Sequence, residues 1–173
     1  SEKEVVEELK KTVDDLKRKS EEAIKKAKEA VDKIRRDSER AIRKNEDTLR
    51  KIEEEIKRNR SEEALKKIED TLRELSKEHK EIIERIKKAL DDLKRESEEI
   101  VKRLEDALRE LAKSETDEDI LREIAKRIKD LIEDHKRASK EIERDIRKIL
   151  EDHKRAAEKI RRDLRRLLED VER

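Results

Sequence analysis

Glycine, proline, cysteine, methionine, tryptophan, tyrosine and phenylalanine are all missing from this 173-residue sequence. Without cysteine there is no disulfide framework, no thiolate zinc ligand and no thiol nucleophile, and the redox compartment leaves no mark. Without Trp, Tyr or Phe the aromatic side chains on which a nucleobase most commonly stacks are absent. Charge of one sign is missing too: 52 Lys+Arg oppose 51 Asp+Glu, a net charge of +1 in a chain that is 60% charged. Chains that hold nucleic acid or an anionic membrane by electrostatics gather a basic excess on one face, whereas here the signs interleave, so neither partner is expected. No apolar run approaches the roughly 18 residues of a membrane span and no signal-type hydrophobic region follows the first residues, so the expectation is a soluble chain expressed in a cytoplasm. The hydrophobic fraction, 31%, would by itself suggest disorder. The spacing of those few apolar residues overrules that reading.

The spacing is clearest where Leu131 to Lys148 (LIEDHKRASKEIERDIRK) is followed by Ile149 to Arg166 (ILEDHKRAAEKIRRDLRR), the second segment restating the first. The offset is 18 residues, which is five turns of about 3.6, so residues related by it point the same way from a helix that does not supercoil. The same offset joins Leu16 to Ile34 and Ile52, Ser20 to Ser38, and His79 to Ser97. A strict heptad repeat would instead wind the helices left-handedly.

Three helices are expected, over about residues 2–58, 62–113 and 117–172. Ser1 opens a capping box with Glu4. Asn59 tolerates the left-handed conformation at a helix end and Ser61 is a good N-cap, which places the first loop. Lys113 to Asp119 (KSETDED) has no apolar residue and offers Thr116 or Asp117 as the next N-cap. Each helix turns an apolar arc of about 120° inward, as three antiparallel helices around one axis require, so the expected product is an all-α, antiparallel three-helix bundle. It reads as one domain over residues 1–173, a rod roughly 80 Å long with one narrow core.

Seven polar residues stand in the core stripe: Ser20, Ser38, Asn45, His79, Ser97, His135 and His153. They are the candidates for chemistry. A metal site is one reading, since imidazole is a common ligand in helical bundles. His135 and His153 lie roughly 27 Å apart along one helix, too far to share an ion. Ser76, Ile132 and Leu150 stand three residues before the histidines, so the Glu-x-x-His spacing of carboxylate-bridged metal bundles is absent. At most His79 and His153 could share an ion, without a core carboxylate. A Ser–His hydrolase would further need an orienting acid, an oxyanion hole and a cleft. The expectation is therefore no catalytic, metal or cofactor site, and two buried hydrogen-bond layers: His79, His153 and Asn45 or Ser38 in one, Ser97, His135 and Ser20 in the other. Such layers penalise slipped registers by leaving polar groups unpaired. Thr48 and Thr71 lie at stripe edges and could join them, whereas Ser76 and Ser139 read as facing a seam or solvent. Charge runs such as Lys25, Lys26 and Lys28, or Arg161, Arg162, Arg165 and Arg166, read as solvated faces with pairs such as Glu158 and Arg162.

The 18-residue register, the surface of little but Glu, Lys, Arg and Asp, and the single Ser, Asn and His residues in an Ile/Leu/Ala core together resemble computationally designed straight-helix bundles with buried hydrogen-bond networks. The resemblance covers the whole chain. Natural spectrin-type three-helix repeats are similar in outline but carry core tryptophan. What the resemblance implies is a thermally stable scaffold with no natural biochemical function, either monomeric or made to associate. The expectation is a structural protein, not an enzyme, with no cofactor and no required partner. The rival is a binding module in which a partner helix or a second copy fills an open seam, suggested by Ala23, Ala30 and Ala41 on the first helix against Ile132, Leu150 and Leu168 on the third.

Overall fold

A computed structural model describes residues 2–115 and 117–173, so the expected caps at Ser1 and Thr116 lie outside the described residues. Three long helices account for nearly all of the rest: α1 (Glu2–Lys57), α2 (Ser61–Ala112) and α3 (Glu118–Glu172). No strand occurs among the described residues. The chain is an all-α, antiparallel three-helix bundle. Its surface is built of Glu, Lys and Arg, which lose little side-chain freedom in a helix, and nothing in the sequence breaks the i to i−4 ladder.

The two connections are short because their ends are chemically specified. Asn59 sits at φ 61°, where an Asn side chain is better tolerated than a branched one. Its N–H donates to the Ile56 carbonyl at 3.1 Å and the Arg60 N–H to that of Glu55 at 3.0 Å, the paired bonds of a Schellman motif. The Arg60 carbonyl then accepts from the Ala64 N–H, so Ser61, expected as the N-cap, is instead the first residue of α2. Its hydroxyl is one position too late to cap. At the second connection the expected alternative, Asp117, does cap: its Oδ1 accepts from the Asp119 N–H at 3.0 Å, and its carbonyl from the Leu121 N–H.

Packing gathers into two compact units, each drawing one segment from every helix. The first comprises Ser1–Ala30 and Ala89–Arg144. Its core joins Val6, Val13 and Leu16 to Ile100, Leu104, Ala107 and Leu111 and to Ile124 and Ile128. The second comprises Val31–Lys88 and Asp145–Arg173. There Leu49 and Ile52 meet Ala64, Ile68 and Leu75, together with Ala157, Ile160 and Leu164. Within this unit the α1–α2 contacts show the antiparallel sense directly. As the α1 partner climbs from Asp37 to Asn45 to Glu55, its α2 partner falls from Arg85 to Glu78 to Lys67.

Some of the most deeply buried residues are 18 apart. Ile68, Ile86 and Leu104 are each 0% exposed, and Ile124, Ile142 and Ile160 are 1%, 2% and 3% exposed. Each such side chain contributes about 1.5–3 kcal/mol by leaving water.

Candidate functional site

The polar residues of the core stripe fall at two levels. In the first unit, α1 carries Ser20, α2 carries Ser97 and α3 carries His135 and Ser139. The His135 ring lies between hydroxyls on both sides: Nδ1 is 2.6 Å from Ser20 Oγ and Nε2 is 3.2 Å from Ser97 Oγ. Ser97 Oγ continues to Ser139 Oγ at 2.7 Å. Ser20 and His135 are buried, Ser97 and Ser139 half-buried. Every ring nitrogen therefore has a hydroxyl partner, and since serine can donate or accept, either neutral tautomer of His135 is satisfied. Ser139, expected at a seam or in solvent, extends this layer. It lies four residues after His135, one turn along the same helix face.

In the second unit the α1–α3 contact recurs. His153 Nδ1 is 2.8 Å from Ser38 Oγ, and both this pair and Ser20–His135 are separated by 115 residues in sequence. The α2 residue at this level is His79, and it makes no hydrogen bond to its neighbour. Its ring stacks on His153 with centroids 5.0 Å apart and planes 12° from parallel. His153 Nε2 and His79 Nδ1 are both buried without a hydrogen-bond partner. His79 as a whole is half-buried, where it was expected within a sealed hydrogen-bonded layer. Asn45, also expected there, is 2% exposed, but its amide donates to Glu78 Oε2 at 3.2 Å. That carboxylate also faces Lys44, so Asn45 is tied to the charged rim instead of the histidines. Of the two edge threonines, Thr71 is buried, and Thr48 donates its hydroxyl back to the Lys44 carbonyl, a bond within its own helix.

Burial disfavours the charged form of an imidazole. It lowers His135 below the ordinary histidine value, and it pushes His153 down to about 4, helped by repulsion from His79. His79 is lowered by burial and then by the positive charges of Arg161 and Lys154, against which Glu158 acts.

A groove of about 380 Å³ reaches this second level, lined by Ser38, Ile42, His153 and Ala156 and rimmed by Glu39, Arg43 and Asp152. Its chemistry is limited. The Ser38–His153 contact has the outline of a nucleophile and its base, yet the second ring nitrogen has no carboxylate to orient it, and a base of pKa about 4 draws a proton only weakly. The stacked rings hold their nitrogen lone pairs in near-parallel planes, which does not aim two of them at one ion. Among the described residues no group of three His, Cys, Asp or Glu side chains gathers to complete a metal shell. No described helix is long and apolar enough to cross a membrane.

No protein-family model matches the chain, and no curated protein matches it. Among solved structures it is similar to a computationally designed three-helix bundle, 20% identical over 98% of this chain and 80% of that one, with a TM-score of 0.38.

Proposed function

We propose that the chain is a designed, non-enzymatic structural scaffold, and that its serine–histidine layers serve to fix which helix faces which and at what height. The observation that carries this reading is the recurrence of the α1–α3 serine–histidine contact at the same separation, 115 residues, in two separately packed units. Shifting α3 by one turn against α1 would leave a buried imidazole facing an aliphatic side chain, at about 1–3 kcal/mol for each unsatisfied group. An all-aliphatic stripe imposes no such penalty. The seven missing residue types and the 18-residue register support design as the origin.

The test is a variant in which Ser20, Ser38, His79, Ser97, His135 and His153 are all replaced by Ala, Val or Leu. The expected result is a protein at least as resistant to denaturant that has lost uniqueness: broadened amide resonances, or several species by light scattering. A variant with a single sharp spectrum matching the parent would overturn the register role.

A specific observation keeps a second reading, a binding module. In the first unit a groove of about 280 Å³ between α2 and α3 is lined by Leu108, Leu111, Leu121 and Ala125, with Arg122 and Lys129 beside it. An amphipathic partner helix with acidic flanks has the matching chemistry. Light scattering discriminates the two: one chain per particle at all concentrations supports the scaffold, a concentration-dependent dimer the module.

A further inference from the structure

Going beyond the scaffold reading, the two histidine levels differ in what they can do with a proton. His135 is flanked by hydroxyls at both ring nitrogens. When it takes up a proton from solvent, Nδ1–H donates to Ser20 Oγ and Nε2–H to Ser97 Oγ. Ser97 then turns its own proton toward Ser139, and Ser20 can turn its proton to a carbonyl in the preceding turn. The cation stays buried, but every N–H has an acceptor. His153 has an acceptor only at Nδ1, in Ser38. A proton on Nε2 has none, and it also places a positive ring face to face with His79.

The charged groups around this pair do not rescue it. On α3, Lys154 and Arg161 repel a protonated His79 and Glu158 attracts it. Asp152 on α3 and Glu39 and Arg43 on α1 stand at the groove rim. Glu78 on α2, beside His79 in sequence, is occupied by Asn45 and Lys44. None of these supplies a buried acceptor to His153 Nε2.

The geometry points to a built-in acid trigger: the stacked His79–His153 pair loosens the second unit as pH falls, while the hydroxyl-flanked His135 lets the first unit hold. The sign follows from linkage. A group whose folded pKa is depressed binds its proton better in the opened state, so the closed state loses stability as pH falls below the unfolded value of about 6.5, the loss levelling off below the folded value. For His153, with about 4 in the folded state, opening is favoured about thirtyfold more at pH 5 than at pH 7.5.

Hydrogen exchange of the full chain at these two pH values, corrected for intrinsic exchange rates, tests this. Amides of Val31–Lys88 and Asp145–Arg173 are expected to lose at least tenfold in protection, and those of Ala89–Arg144 clearly less. In the triple variant Ser38→Ala, His79→Ile, His153→Leu, whose core is more apolar, the acid response of the second unit should vanish, while His135→Leu should leave it intact. Equal loss in both units, or an acid response that survives the triple variant, overturns the proposal. NMR titration gives a second reading that needs no variant. His153 should remain neutral at pH 5, and a His153 ring titrating near 6.5 would overturn the proposal as well.

Discussion

Ser20→Ala should destabilise the chain by more than removal of its partner as well. Ser20 is 7% exposed and His135 3%, and their 2.6 Å contact occupies the Nδ1 side of the ring. Truncating the serine strands a buried nitrogen, which costs about 1–3 kcal/mol. His135→Leu alone leaves a hydroxyl, but a helical serine can turn to the carbonyl four residues back, so that loss is smaller and is offset by added apolar burial. With both partners apolar nothing polar is stranded, and the double variant should match or exceed the parent. Denaturant unfolding followed by circular dichroism at pH 7.5 measures all four corners of this cycle. The expected order of midpoints is Ser20→Ala lowest, parent above it, double variant at or above the parent. If Ser20→Ala were neutral, or its effect simply added to that of His135→Leu, the hydroxyl and imidazole would not be joined, and the layer would not exist in solution.

Ile86→Ala and Leu104→Ala remove fully buried side chains 18 residues apart, one in each unit, and each should lower stability by about 2–5 kcal/mol in the same denaturant assay. Asn59→Val forces a branched side chain into a positive-φ position and should cost about 1–2 kcal/mol, whereas Asn59→Gly should be neutral or stabilising. Asp117→Ala removes the cap of α3 at about 0.5–2 kcal/mol, and Asp117→Asn should retain most of it. Asp14→Ala, which breaks the exposed pair with Arg127, should change stability by less than about 1 kcal/mol and not at all in high salt.

The three helices were legible because the spacing of their apolar residues follows from counting. A five-turn repeat fixes the inward face, and an antiparallel loop of known length fixes which α2 residue lies level with which α1 residue. The sequence groups Ser97, His135 and Ser20 in one layer and His79, His153 and Asn45 or Ser38 in the other. It could not say how the rings turn. His79 stacks on His153 instead of bonding to it because its ring orientation depends on side-chain torsions and on the room left between helices, neither of which has a sequence period. Asn45 met the same fate for another reason: an amide near the bundle edge found a carboxylate, Glu78, that the apolar pattern does not register. Ser139 reads from the sequence as facing a seam or solvent, yet its half-buried position, four residues from His135, lets it reach Ser97. The capping serine at 61 was displaced by one residue because Asn59 closes the preceding helix so tightly that Arg60 already supplies the first carbonyl of α2.

Histidine-resolved nitrogen NMR at pH 7.5 tests the buried layers most directly. The account predicts that His135 and His153 are both neutral, with cross-peaks from His135 to Ser20 and Ser97 and from His153 to Ser38. Charged rings, or freely exchanging ring protons with no serine cross-peaks, would contradict it.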